Sequence, residues 1–404
     1  MKRKAHSGSS ANLDALDGRQ QSLVICLGPG GVGKTTISAA LAVRAAALGS
    51  AVDVMTVDPA PRLLDALGLD SDSSEPVDVH IDGVRHGCER HGRERHGHER
   101  HGRQSHERDR HARRGAHARS RLRALRLDPK RTFDSIVARY AVSDAARTTI
   151  LENRIYRNLS GALAGVADYM AMEKLLELAA NPDTDLIVLD TPPAAEAIDF
   201  LGAPRRLLEL LNSRAVTLLS APSGIFRSQL RMVDVAARAV LATFDRVTGL
   251  HLLADVQSFV RSFDGMYEGF SDRATRAQDK LRAADTSIVI VTTAESSRIA
   301  QAREFVEALE EAGLRISAMV VNRVLTELPD ASELASAPVA PALRKKLKRN
   351  LADYAALKER EEVSLNALRK SLPEGAVLMV APDLGREPRT IADLAEIGGS
   401  IHAG

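Results

Sequence analysis

Six short apolar runs punctuate the chain: LVICL at 23–27, VDVMTV at 52–57, LIVLD at 186–190, SIVIVTT at 287–293, ISAMVVN at 316–322 and AVLMVA at 376–381. Each is mostly apolar on both parities and rich in β-branched residues. That is the pattern of parallel strands covered on both faces. Helical patterns such as TTISAALAVRAAALG and SSRIAQAREFVEALEEAG lie between them. The alternation predicts an α/β fold with a doubly wound, mostly parallel sheet, whose ligands bind beyond the C-terminal strand ends.

Two stretches break this rhythm. Residues 127–181 and about 200–284 carry apolar residues at i, i+3, i+4 spacing, which predicts an inserted helical subdomain. Met170, Met172, Met232 and Met266 fall there and read as packing residues, methionine being a common gap filler. A third stretch, 84–121, is a degenerate ERHG repeat with no apolar pattern. It cannot build a core, so disorder is expected. The layout is then a flexible leader at 1–21 and one domain over 22–404, interrupted at 84–121.

Composition changes the picture in three places. Net charge is +2, but 84–121 holds 12 Arg against 5 acidic residues, net +7, which leaves −5 on the remainder. The folded part is mildly acidic, and aromatics make up 3% of the chain, so nucleic acid is not an expected partner. The only cysteines are Cys26 and Cys88, too few for a disulfide framework or a CxxC zinc site. No run is long and apolar enough for a membrane span, and the polar leader lacks a signal-peptide core, so a cytoplasmic location is expected. Eight of the 12 His lie in the repeat; the alternatives there are a metal store and an inert, solvated expansion.

The candidate chemistry starts at GPGGVGKTT, 28–36. It follows a strand, opens a helix and matches G-x-x-x-x-G-K-[ST]. Gly28, Gly30, Gly31, Val32, Gly33, Lys34, Thr35 and Thr36 would cradle phosphates with backbone N–H groups and the helix N-terminus. Lys34 would reach the β- and γ-phosphates, and Thr35 would hold Mg²⁺. Gly28, Gly30 and Gly33 also satisfy G-x-G-x-x-G, but a dinucleotide site gives Lys34 and Thr35 no role and wants its acidic residue earlier than Asp58. Asp58 and Asp190 each end a strand. Asp190 suits a Mg²⁺-bound water, and Asp58 suits the attacking water. The alternative for both is capping of a following helix.

GGVGKTT, VDPAPRLLDALGL and LIVLDTPP resemble the arsenite-pump (ArsA) and tail-anchored-protein targeting ATPase family, within the MinD-like deviant P-loop NTPases. LDPKRTFDSIVARY, NLSGALAGVADYMAMEKL, FDGMYEGF and VVNRV are similar to its bacterial ArsA-like branch. The likeness runs from about residue 22 to 398. It implies an ATP- and Mg²⁺-dependent switch, a homodimer or a heterodimer with a paralogue, whose hydrolysis moves the helical subdomain. It implies that Asp58 is the switch I catalytic carboxylate and Asp190 the switch II carboxylate. It also implies that Asn322 reads adenine and that Pro382 packs near the base. A membrane protein or hydrophobic helix is the implied cargo class. The family's cysteine sites for arsenite and its CxxC clasp are both missing, so neither cargo carries over. Pro29 stands where the deviant P-loop has its signature lysine, and Arg62 is the nearest substitute. The rival reading is a His-rich metallochaperone for nickel or zinc. A guanine-specific N/T-K-x-D is lacking at VVNRV, which favours adenine. A decayed binding module is opposed by the joint presence of Lys34, Thr35, Asp58 and Asp190.

Overall fold

The computed structural model describes residues 22–69, 74–81, 121–153, 156, 164–192, 194–213, 261, 263–325, 328–329 and 331–404. They divide into two units, one formed by Met1–Arg126, Leu178–Ile198 and Arg282–Gly404 and the other by Leu127–Glu177 and Asp199–Leu281. Residues 84–120 of the repeat, residues 1–21 and Met232 lie outside the described residues, while Arg121, counted with the repeat in the sequence, begins a strand.

The first unit is the sheet. Its strands are β1 (Leu23–Leu27), β2 (Ala51–Thr56), β3 (Val77–Val79), β4 (Arg121–Arg126), β5 (Leu186–Asp190), β6 (Thr286–Thr293), β7 (Ile316–Val324), β8 (Val377–Pro382) and β9 (His402–Ala403). Among the described residues the order is β3-β4-β2-β5-β1-β6-β7-β8-β9. All neighbouring pairs are parallel except the edges, β3 with β4 and β8 with β9. All six runs read from the hydrophobic pattern are central parallel strands, and β1, β2, β5 and β6 are buried along their whole length.

Three strands were not anticipated. β3 and β9 are short edge strands. β4, RLRALR, continues the Arg-rich composition of the repeat and hides a period-two pattern, with Leu122 and Ala124 buried. Its Arg123 is held by a remote carboxylate: Nε and Nη2 donate to the two oxygens of buried Asp53 at 2.7 Å each. Thr184 Oγ1 donates to the same carboxylate at 2.9 Å.

Helix α1 (Lys34–Ala47) covers the sheet with Ile37, Ala39, Ala40, Ala42, Val43, Ala45 and Ala46, whose small side chains allow close approach. It is followed by α2 (Arg62–Ala66).

The second unit is helical throughout its described residues. It contains α3 (Pro129–Tyr140), α4 (Asp144–Glu152), and much of α5 (Ala164–Ala179), α6 (Ala194–Leu211) and α7 (Tyr267–Arg282). Asp128 caps α3 through the Arg131 N–H, with Pro129 at the first helical position, where its missing donor costs nothing. The core joins Ile136, Val137, Ile150, Tyr156, Met170 and Phe270. Met170, Met172 and Met266 are all buried, which agrees with their reading as packing residues.

The first unit closes with α8 (Ser296–Glu311), α9 (Ala331–Ser336), α10 (Pro341–Ser371) and α11 (Ile391–Ser400). Thr390 and Asp393 form a reciprocal capping box at the start of α11. Arg44 of α1 donates to the Gly398 carbonyl of α11 at 2.8 Å. Among the described residues no helix is long and apolar enough to cross a membrane.

Candidate functional site

Register places the site. Cys26 of β1 and Thr56 of β2 both lie level with Asp190 of β5, so three strands end together. On the other side of β1, Thr293 of β6 lies level with Asn322, and Val324 of β7 lies level with Pro382 of β8. The residues singled out in sequence therefore gather along one edge of the sheet. The chain leaves β1 in one direction and later returns to its other side with β6. This is the switch point where an open parallel sheet forms a crevice.

The glycine loop is built by close approach. Gly28 has φ +150, and a Cβ there would sit 2.1 Å from the Val291 carbonyl oxygen. Gly33 has φ +90, and a Cβ there would sit 2.3 Å from the Asn322 Nδ2. That amide donates to the Val32 carbonyl at 2.9 Å, and its Oδ1 accepts from the Arg323 N–H at 2.9 Å. Arg323 has φ 58, the sole positive value at a non-glycine among the described residues. The register break between Val321 and Val324 falls at the same place. The strained backbone thus aims Asn322 at the loop. Around Gly30 and Gly31 an added Cβ would meet nothing within 4 Å, so the outer face of the loop is open. The first backbone bond of α1 runs from the Ile37 N–H to the Gly33 carbonyl at 3.0 Å. The amides of Lys34, Thr35 and Thr36 are the unpaired donors of a helix N-terminus.

Lys34 is buried, and its Nζ donates to the Pro29 carbonyl at 3.2 Å. Burial lowers its basicity, Asp190 and Asp58 oppose that, and the Arg62 charge adds to it. Asp190 is fully buried and collects hydroxyls. Oδ2 accepts from Thr35 at 2.9 Å and Thr56 at 3.0 Å, and Oδ1 lies 3.3 Å from Ser38 Oγ. Ser38 has one proton and a nearer acceptor in the Lys34 carbonyl at 2.9 Å. Burial pushes the Asp190 carboxyl up to about 6, against the pull of these donors and of Lys34. Cys26 is buried behind them, its thiol pushed up to about 12 by burial, and is inert.

Asp58 is half-buried. Its N–H donates to Thr56 Oγ1 at 3.2 Å, and its Oδ1 accepts from the Ala60 N–H at 2.9 Å. The latter closes an Asx turn one residue before α2, whose cap is Pro61. Neither Asp58 nor Asp190 caps a helix among the described residues. Arg62 is exposed at the start of α2, and Thr36 is half-buried at the start of α1.

Thr56 links the two carboxylates, donating to one while accepting from the backbone of the other. Ser38 and Thr56 were missed in sequence. Their signals are weak: Ser38 stands one helical turn after Lys34, and Thr56 two residues before Asp58. Pro29 as the acceptor for Lys34 is also absent from the sequence reading, since any residue at that position offers the same backbone carbonyl.

The donor set fits a magnesium ion. Thr35 and Asp190 bring a hydroxyl and a carboxylate together, hard oxygen ligands of the kind Mg²⁺ takes. The Lys34 charge acts on the buried carboxylate and favours its ionised form. Among the described residues no group of three or more His, Cys, Asp or Glu could hold a metal ion, and the His-rich repeat lies outside them.

A family model described as an anion-transporting ATPase matches residues 21–82 and 118–354, with all but the last four residues of the repeat falling in the gap. ATPase GET3 of Malassezia globosa is 22% identical over 338 residues, 84% of this chain and 83% of that protein. ATPase get3 of Aspergillus terreus is 23% identical over 299 residues, 74% and 72% of the two chains. ATPase ARSA1 of Chlamydomonas reinhardtii is 45% identical over 60 residues, 15% of this chain and 8% of that protein.

Proposed function

The chain belongs to the anion-transporting ATPase family and is an ATP-hydrolysing enzyme, and from that premise we propose that it works as a Mg²⁺-dependent dimeric switch. The observation that carries this reading is the convergence of Thr35, Asp190 and Thr56 beside buried Lys34, with Asp58 one hydrogen bond away.

The loop from Gly30 to Gly33, open at Gly30 and Gly31, and the amides of 34–36 bind phosphate oxygens, with the α1 N-terminus favouring negative charge. Lys34 leaves the Pro29 carbonyl for the phosphates, its burial strengthening the attraction. Thr35 and Asp190 would hold Mg²⁺, which would supply positive charge against the negative charge that develops on the transferred phosphoryl. Asp58 keeps Oδ1 on the Ala60 N–H and presents Oδ2 to orient or deprotonate the attacking water. Asn322 still has one amide hydrogen and one Oδ1 lone pair for an adenine edge. Pro382, at the end of the neighbouring strand, offers its ring to the base.

Dimerisation and movement of the helical unit are what the family resemblance implies, and a cytoplasmic location belongs to the same proposal; a membrane protein or hydrophobic helix is the implied class of cargo, with neither the arsenite nor the tail-anchor site carried over. The metallochaperone reading is not favoured, since the family match spans the chain on both sides of the repeat. The experiment is ATP turnover with and without Mg²⁺, in wild type and Lys34→Ala. Turnover that needs Mg²⁺ and is lost with Lys34 supports the reading; turnover unaffected by either refutes it.

A further inference from the structure

Helix α10 is 31 residues long, about 46 Å, and only Leu368 is fully buried along it. Its sequence is uneven. Residues 344–349 read RKKLKR, five cations in six positions, and no acidic residue precedes Asp353. Among the described residues Lys345, Lys346, Lys348 and Arg349 make no ion pair.

This arrangement opposes the stability of the helix itself. The cations crowd the N-terminal turns, where the helix dipole favours anions, and the first turn contains no acidic residue. Arg344 with Lys348, and Lys345 with Arg349, are like-charge pairs at i,i+4. Arg344 alone has a local use, donating to the Ala337 carbonyl at 2.8 Å.

The same segment carries an apolar stripe. Leu343, Leu347, Leu351, Tyr354 and Leu357 recur at intervals of three and four, on one face. Leu343 is 47% exposed, Tyr354 51% and Leu357 44%. On a helical wheel Arg344 and Lys346 flank this stripe, and Lys345, Lys348 and Arg349 fill the rest. Large apolar side chains between cations, with a tyrosine among them, form the profile of a helix that lies in a bilayer interface. A nucleic acid or an acidic peptide would be met by the cations alone and would leave the stripe uncovered.

We propose that the N-terminal half of α10, residues 341–357, is a docking surface for the anionic phospholipid face of a membrane. The cations meet the headgroups, and the leucines and Tyr354 enter the headgroup–acyl boundary. This inference does not rest on the nucleotide chemistry proposed above. It gives an enzyme without a membrane-spanning helix among its described residues a way to work at a bilayer.

The test is flotation of the full chain with vesicles of phosphatidylcholine alone and of an equal mixture of phosphatidylcholine and phosphatidylglycerol. Wild type should float with the anionic vesicles only, and less as salt rises. Each cation removed should lower partitioning about fivefold, so Lys345→Gln/Lys348→Gln/Arg349→Gln should lose about a hundredfold. ATP turnover of that variant without vesicles should match wild type, which reports that the domain is intact. Absence of wild-type flotation with anionic vesicles overturns the proposal. So does equal flotation with neutral vesicles, or insensitivity to salt. If vesicles are ignored and the variants alter self-association instead, the stripe is a contact between copies and the lipid assignment falls.

Discussion

The Asn322 side-chain amide occupies the space that a Cβ on Gly33 would fill, 2.3 Å from it, while donating to the Val32 carbonyl at 2.9 Å. The end of β7 and the phosphate loop are therefore one unit, although 290 residues separate the bonded pair.

This contact predicts a non-additive pair. Gly33→Ala must displace Asn322 and holds alanine at φ +90, a strain of about 1–3 kcal/mol. Asn322→Ala leaves the Val32 carbonyl without its donor, at about 1–3 kcal/mol. In the Asn322→Ala background the space is vacated, so Gly33→Ala should cost less, with a coupling of about 0.5–3 kcal/mol. Urea unfolding of the four proteins measures it. Strict additivity would mean that the two residues do not share this space in solution.

Asp58→Asn should bind ATP much as wild type does and turn it over about 10²–10⁴-fold more slowly. The amide keeps an acceptor for the Ala60 N–H, so the turn survives, but it offers the water no base. Single-turnover hydrolysis with a separate binding measurement checks both halves. Wild-type turnover in the variant would remove Asp58 from the chemistry.

Much of this fold and site is legible in the sequence. The six apolar runs are the six central parallel strands, and the glycine loop with its Lys34 and Thr35 announces itself by spacing alone. β4 was not readable, because RLRALR looks like the end of the Arg-rich repeat. What makes it a strand is Asp53, 70 residues earlier, and Thr184, 61 later. Ser38 and Thr56 escaped for a related reason: a hydroxyl gains its role only when three strand ends place one carboxylate among several donors. The backbone at Arg323 is also silent in sequence, since arginine has no preference for φ 58.

The Asp53–Arg123 pair predicts a large stability effect away from the site. Arg123→Met leaves a buried carboxylate with Thr184 as its sole side-chain donor among the described residues, a loss of about 3–5 kcal/mol. Asp53→Leu/Arg123→Met removes both charges and should recover much of that loss. Denaturation midpoints of the two variants and wild type decide it. A single variant as stable as wild type would show that Asp53 finds solvent or another partner.

The last prediction concerns Pro29. Its nitrogen carries no proton, so it gives the loop one donor fewer, and its side chain carries no charge. What it contributes is a carbonyl 3.2 Å from the Lys34 ammonium, which parks that side chain inside the loop. The resemblance described above puts a lysine at this position, reaching across a dimer to the partner's phosphates. With proline there, the loop that binds its own nucleotide keeps Lys34 and its amides, and the missing contact is the one made in trans. Arg62 is the nearest replacement: it is exposed, begins α2 four residues after Asp58, and its charge is felt at Lys34. A guanidinium also suits phosphate geometry. Arg62→Ala should therefore slow ATP turnover by about 10²-fold, the usual cost of one lost charge-stabilising donor. Pro29→Lys should restore part of that loss in the Arg62→Ala background, and wild-type turnover per chain should fall on dilution as dimers dissociate. The measurement is turnover against protein concentration for wild type, Arg62→Ala, Pro29→Lys and the double variant. If Arg62→Ala matches wild type and Pro29→Lys adds nothing, Arg62 is not the substitute. If turnover per chain is also constant down to the monomer, the contact in trans has no place in this enzyme.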